Sequence, residues 1–280
     1  MRVASLGSGS RGNSIYVEAG ATRLLVDAGF SGVQIERRLR AVGVSPESVE
    51  AVVVTHEHRD HTSGMGVAAR RWSWPLYMAS ETLEACDDLL HGQEEVRLFR
   101  GGSSFSVGEL TVESFFTCHD AAAPLAVTLT HPVTGLKLGL ATDLGRPTTA
   151  VRHALRASHF LVLEANHDEV LLREGPYPWS IKERIGGSRG HLSNRVAAEL
   201  LEELIHEELC GVLLAHLSET CNDPDRALRT VRPCLKRSGF RGVLRVARQR
   251  EPTQLFDLKR LHHGVRCGPQ IDLFGRAVGS

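Results

Sequence analysis

Residues 51–64 read AVVVTHEHRDHTSG, an apolar run that ends in three histidines and an aspartate within six positions: His56, His58, Asp60 and His61. An apolar run of this length between polar segments predicts a buried strand. Its end must then lie where a chain can gather imidazoles and a carboxylate without burying them unpartnered. If the strand ran on, His56, His58 and Asp60 would share one face and His61 would point away. Neutral imidazole with carboxylate suits zinc, manganese or iron.

The same pattern recurs down the chain. LTVESFFTC precedes His119, LKLGLAT precedes Asp143, and GVLLA precedes His216. Each closes a strand-like run, where a side chain can enter a cleft. Further strands are expected at 2–6, 14–19, 23–28, 125–130, 160–165 and 242–247, from Val, Ile, Leu and Phe enrichment beside Gly or Pro. Helices are fewer. VQIERRLRAV places Ile35, Leu39 and Val42 on one face and stops at Gly43. Residues 194–209 follow Ser193, a good N-cap, with Ala197, Leu200, Leu201 and Leu204 as the apolar stripe. Strands alternating with helices in both halves indicate sheets covered by helices. The consecutive strands over 110–142 and the lack of a GxGxxG after the first strand argue against an ordinary doubly wound fold.

With 280 residues the chain can bury a sizeable core. No apolar run approaches the ~20 residues that span a bilayer. MRVASLGSGS carries one arginine and no long apolar stretch, so no secretory signal is expected. The six cysteines are scattered without a CxxC pair, which points to reduced thiols and a cytoplasmic setting. Formal net charge is zero, yet residues 226–266 carry twelve Lys and Arg against two acids. A basic segment of this kind suits an anionic polymer, while the zero total argues against indiscriminate nucleic-acid binding.

These motifs carry a resemblance. THEHRDH, with VDAG at 26–29, ATDLG at 141–145 and AHLS at 215–218, resembles the metallo-β-lactamase superfamily. SLGSGSRGNS (5–14), CHDA (118–121), LEANHD (163–168), YPWSIKERI (177–185) and GHLSN (190–194) narrow it to the YycJ/WalJ group. The resemblance implies a four-layer αβ/βα sandwich, two mixed β-sheets flanked by helices, as a single domain over 1–260 with a C-terminal tail at 261–280. It implies two divalent metal ions: one on His56, His58 and His119, the other on Asp60, His61 and His216, with Asp143 bridging. It also suggests Asp27 as the residue that orients the histidine loop, and metal-bound histidines do usually donate their second N–H to an oxygen.

Two such ions about 3.5–4 Å apart bring the pKa of a water towards ~7 and neutralise phosphoryl charge. Asp60 is then placed to orient the attacking hydroxide, and His191 in GHLSN to protonate the leaving oxygen. Arg11 and Asn13 in the Gly/Ser loop, and Ser193 and Asn194 at a helix start, are candidate phosphate contacts. Tyr177, Trp179, Lys182, Arg184 and Arg189 set aromatics and cations beside His191, where bases could stack. Trp179 itself is expected to pack beneath a loop shaped by Pro176 and Pro178. His167 and Asp168 are expected near the site without ligating.

The function this indicates is a metal-dependent phosphodiesterase acting on nucleic acid. By resemblance it is an exonuclease on DNA rather than RNA, working from a 5′ end towards 3′. Larger ribonucleases of the superfamily carry an inserted domain before the last ligand, and only 72 residues separate Asp143 from His216. The alternatives are a hydrolase of small esters, thioesters or cyclic phosphates on the same fold, and a metal-binding scaffold, which has no need of an open two-metal site.

Overall fold

The computed structural model describes residues 1–267. The chain divides into two compact units, one of residues 1–116, 121–134 and 248–256, the other of residues 117–120, 135–247 and from Asp257 onward. Its strands form two mixed sheets flanked by helices, as expected.

The first unit runs β1 (Arg2–Gly7), β2 (Ser14–Ala19), β3 (Thr22–Val26), α1 (Gly32–Ala41), β4 (Ala51–Val53), α2 (Arg59–Thr62), α3 (Met65–Trp72), β5 (Leu76–Met78), α4 (Ser80–Ala85), β6 (Val96–Leu98), β7 (Ser104–Val107), β8 (Leu110–Phe116) and β9 (Leu125–Thr130). The second runs β10 (Lys137–Ala141), α5 (Thr149–Leu155), β11 (Phe160–Glu164), α6 (Glu169–Glu174), α7 (Trp179–Gly186), α8 (Asn194–Leu204), β12 (Gly211–Ala215), α9 (Pro224–Arg237) and β13 (Val243–Val246). The short strand β14 (Phe256–Asp257) and the helix α10 (Leu258–Cys267) follow.

In the first unit, β14-β1-β2-β3-β4-β5-β6 form a seven-stranded sheet. β1, β2 and β3 are joined antiparallel, with Val3 opposite Val17 and Val17 opposite Leu24. From β3 onward pairing is parallel, Leu25 facing Val52 and Val52 facing Leu76. Every residue of β4 is buried, so AVV reads as a continuous apolar run without alternation. Helices α1 and α3 close one face. Ile35, Leu39 and Met65 pack with Leu25, Val52, Leu76 and Trp74, whose indole N–H donates to the Pro46 carbonyl at 3.1 Å. The unit also holds the antiparallel strands β7, β8 and β9 of the second sheet, with Val112 paired to Leu129.

In the second unit, β10, β11, β12 and β13 are parallel and in step: Leu140, Val162, Leu213 and Arg245 lie side by side. FLVLE and GVLLA are buried along their whole length. Parallel strands of one register end together, so residues just past β10, β11 and β12 meet at one edge. The stripe expected for α8 is buried as read, and the Ser193 side chain caps it by accepting the Val196 N–H. The helix ends at Leu204 rather than 209, because Ile205 turns extended to carry the chain towards β12. α9 gives little warning in the sequence, since Pro233 sits inside it and removes one backbone donor. Asp223 caps it, and the Cys234 thiol donates to the Ala198 carbonyl on α8 at 3.2 Å.

Residues 261–267 of the expected tail belong to α10; the remainder of that tail lies outside the described residues. Among the described residues no helix is long and apolar enough to cross a membrane.

Candidate active site

The strand leading into the histidine run stops at Val53, and α2 begins at Arg59. Strand alternation therefore does not govern the motif. Asp60 and His61 sit on one helical turn, which returns the chain so that His56, His58 and His61 gather. The His56 ring centroid lies 4.7 Å from that of His58 and 4.2 Å from that of His61.

Asp27 organises this run. It follows β3 with φ of 63°, a left-handed conformation that turns its carboxylate back onto the loop. Its Oδ1 accepts the Thr55 N–H at 2.8 Å; its Oδ2 accepts the Thr55 hydroxyl at 2.9 Å and His61 Nδ1–H at 2.7 Å. A carboxylate only accepts, so the His61 proton is on Nδ1 and its lone pair is on Nε2. Thr55 has spent its one hydroxyl proton on Asp27, so at 3.0 Å it accepts from His56 Nδ1. His56 is thereby fixed in the same tautomer. Gly29, next but one after Asp27, lies under the Asp60 carbonyl: a Cβ there would come within 1.7 Å of that oxygen.

Asn13 ties the Gly/Ser loop to this cluster. Its Oδ1 accepts from the Ser8 hydroxyl and Gly9 N–H, both at 2.9 Å, while its Nδ2 stands 3.1 Å from Asp60 Oδ2 and 3.2 Å from His61 Nε2. Asn13 is buried and positions Asp60. Arg11 is exposed at the loop's tip, its backbone N–H on Gln249 Oε1 at 2.7 Å.

In the second unit Asp143 follows β10 and His216 follows β12, each with φ of 56°. With Asp27 they make three of the five non-glycine residues at positive φ among those described, and all three directly follow strands or the residue after one. Between them stands a residue that the sequence reading omitted. Glu164 closes β11 with 0% exposure. Its Oε1 accepts from His191 Nδ1 at 2.8 Å and His216 Nδ1 at 3.0 Å. Its Oε2 accepts the backbone N–H groups of Leu144 at 3.0 Å and Leu192 at 2.9 Å. Burial alone would raise its pKa; the charge and hydrogen bonds of the two imidazoles outweigh burial and hold it well below the ordinary carboxylate range. Glu164 thus fixes both rings with their protons on Nδ1.

His119 donates its Nδ1–H to the Gly190 carbonyl at 3.0 Å. Burial lowers its pKa, with the Asp143 charge opposing, and with Nδ1–H committed to Gly190 its Nε2 is the nitrogen turned to the carboxylates. That nitrogen lies 3.5 Å from Asp143 Oδ1. Asp143 Oδ1 is also 3.4 Å from His191 Nδ1 and 3.5 Å from His216 Nδ1. In the first unit His61 Nε2 stands 3.5 Å from Asp60 Oδ2. Each unit thus brings an imidazole nitrogen to 3.5 Å from a carboxylate oxygen, a donor set that suits a divalent cation. Asp143, Glu164, His191 and His216 cluster tightly, and the two imidazole Nδ1 atoms there donate to Glu164.

Other candidates have structural duties. The Ser193 hydroxyl caps α8 and donates to Glu169 Oε1 at 2.8 Å. Asn194 is buried in a reciprocal amide pair with Asn222, at 3.0 and 2.9 Å. Asp168 caps α6 through the Val170 and Leu171 N–H groups. His167 is buried beside Ser193, and burial lowers its pKa. Trp179, expected beneath a loop, is 69% exposed: it opens α7 at the N-terminus, where Pro178 is the cap.

The metallo-β-lactamase superfamily profile matches residues 7–172, and the chain belongs to that superfamily. Over 237 residues it is 37% identical to exodeoxyribonuclease YycJ of Bacillus anthracis, covering 84% of this chain and 89% of that one. Over 230 residues it is 34% identical to exodeoxyribonuclease WalJ of Streptococcus pneumoniae, covering 81% and 85%. Among solved structures, the metallo-β-lactamase fold protein YhfI from Bacillus subtilis matches with a TM-score of 0.68 at 18% identity, covering 90% of this chain and 98% of YhfI. Zn(2+)-bound PqqB from Methylobacterium extorquens matches with 0.65 at 15% identity, covering 91% and 100%. At such identities these structures bear on the fold alone.

Proposed function

We propose that the chain is a metal-dependent exonuclease that hydrolyses phosphodiester bonds in DNA. The observation that carries it is Glu164 holding His191 and His216 by their Nδ1–H groups, with His191 at the open cleft and His216 buried, which suits the first ring to proton transfer and the second to ligation. The exodeoxyribonuclease names of the two relatives support DNA as substrate, and the family resemblance supports degradation from the 5′ end.

By resemblance, His56, His58 and His119 would hold one divalent ion and Asp60, His61 and His216 the other, with Asp143 shared. The resemblance supplies this division, and the Nδ1 anchoring of His56, His61, His119 and His216 supports it, since ligating histidines donate their other N–H to an oxygen. Zinc, manganese and iron all suit the donors. When bound, two such ions would lower the pKa of a water towards ~7 and neutralise phosphoryl charge.

The chain's own residues do the rest. Asp60, steadied by Asn13, orients the attacking water. As the P–O bond to the leaving group breaks, His191 supplies a proton from Nε2, because Nδ1 is committed to Glu164. Cys86, Cys118, Cys210, Cys221 and Cys234 are free thiols, which supports a reducing, cytoplasmic location.

The test compares leaving groups. His191→Ala should slow release of nucleotides from DNA about 10²–10⁴-fold, yet slow p-nitrophenyl phosphodiester hydrolysis far less, because nitrophenolate leaves without a proton. Equal losses on both substrates would remove His191 as the acid. Cleavage of the small ester with DNA left intact would favour a small-molecule hydrolase.

A further inference from the structure

A cleft of about 590 Å³ opens beside His191 in the second unit. One face of α7 lines it: Trp179, Lys182, Glu183 and Gly186 recur at i, i+3, i+4 and i+7, the spacing of a single helix face. Arg173 of α6 and His167 also line it. The indole of Trp179 is 69% exposed and the His191 side chain 21% exposed, so a ligand in the cleft reaches both.

A lone exposed tryptophan needs no explanation in itself. This one is held for contact. The preceding loop is fixed by Pro176, by Pro178 at the helix cap, and by the Tyr177 hydroxyl, which donates to Thr220 Oγ1 at 3.0 Å. Lys182, one turn along the same face, rests its ammonium on the Arg173 carbonyl at 2.7 Å. The charges in the cleft are mixed: Arg195 is engaged by Glu169 and Glu199 and Arg173 by Glu174, so Lys182 is the cation its described lining offers to an anion.

We propose that this cleft is a single-strand subsite, in which Trp179 stacks on an unpaired base and Lys182 meets the adjoining phosphate while the scissile bond lies at His191. The inference rests on the nuclease reading and deepens it by naming the substrate class. An indole face can cover a base only if that base's own face is open, and within a duplex each face is already covered by its neighbours. The cleft therefore selects single-stranded tracts and strand ends over the interior of a duplex. Stacking is tolerant of base identity, because every base presents a π-face, so little sequence preference follows.

The experiment uses metal-loaded full-length protein and a cleavage-resistant phosphorothioate thymidine 12-mer, with an abasic phosphorothioate strand of the same length as the base-free control. Binding is read by fluorescence anisotropy. Wild type should bind the thymidine strand more tightly than the abasic one. Trp179→Ala should weaken thymidine binding about ten- to hundredfold, with the loss confined to the strand that carries bases; Trp179→Phe should keep most of the affinity, and Lys182→Ala should weaken both strands. Thymidine binding by Trp179→Ala at the wild-type level, or equal loss on the abasic strand, overturns the subsite. The two readings fail separately. If wild type cleaves no nucleic acid but shows Trp179-dependent binding, the nuclease reading falls and the subsite stands. If wild type and Trp179→Ala degrade single-stranded DNA with equal kcat/KM, the subsite falls and the nuclease reading stands.

Discussion

Glu164 Oε1 lies 2.8 Å from His191 Nδ1, and the carboxylate that makes this bond is fully buried at the end of a parallel strand. The other oxygen of the same carboxylate is held by two backbone N–H groups. His191 therefore has one ring nitrogen committed before substrate arrives, and any proton it passes must leave from the other.

Glu164→Gln should cost both activity and stability. An amide cannot accept on both sides: its NH₂ would face either the imidazole donors or the Leu144 and Leu192 N–H groups. A buried donor set against donors costs about 1–3 kcal/mol, and loss of acid catalysis should lower kcat about 10²–10⁴-fold. Urea denaturation and steady-state kinetics on DNA read the two effects.

Asp27→Asn should weaken metal binding. The amide retains the shape but can no longer accept from both Thr55 and His61 as a charged group. Loss of such a supporting contact lowers metal affinity about 10- to 100-fold. Competition with a chromophoric chelator measures this directly, and the fold should survive, judged by circular dichroism.

Gly29→Ala should destabilise the protein by about 3 kcal/mol, at the upper end of overpacking costs. The added Cβ would lie 1.7 Å from the Asp60 carbonyl oxygen, a backbone atom that cannot swing aside. Thermal unfolding checks it, with Gly43→Ala as the comparison: a Cβ there meets nothing within 4 Å, and its cost is limited to its φ of +79°.

Stability should fall at alkaline pH, partly through Cys210. Burial pushes this thiol up to about 12 from the ordinary value of 9.0. The unfolded chain releases the proton first, so the contribution is complete below pH 9 and is lost as pH rises towards 12. One pH unit above the unfolded value it amounts to about 1.4 kcal/mol. Cys210→Ala should flatten the fall in denaturation free energy between pH 8 and 10 by that amount.

Much of this was legible in the sequence because the chemistry sits at strand ends. The apolar runs before Asp143 and His216 could be read as parallel strands buried on both faces, and parallel strands in register end at one edge. The turn at Arg59 was not legible: HxHxDH reads equally well as an extended strand, and only the backbone shows that β4 stops at Val53. Glu164 was missed for a different reason. It closes FLVLE like any polar residue after a buried strand, and no local pattern tells that two imidazoles 27 and 52 positions away converge on it. An acid placed directly after a fully apolar strand, with AN and a histidine following, was the available signal. Asn13 and Asn194 look alike in sequence, as polar residues in candidate phosphate loops. Their partners separate them, Asp60 for one and Asn222 for the other. Trp179 was expected to be covered because the prolines beside it suggest a closed loop; instead they start a helix that holds the indole outward.

The most direct test of the central claim is to strip the protein with chelator, restore manganese or zinc, and follow 5′-end-labelled single-stranded DNA on a gel, with His61→Ala alongside. Labelled mononucleotide should appear from the earliest times, only after metal is restored and only with wild type. DNA that stays intact in the fully metallated protein, or is degraded equally by His61→Ala, would contradict it.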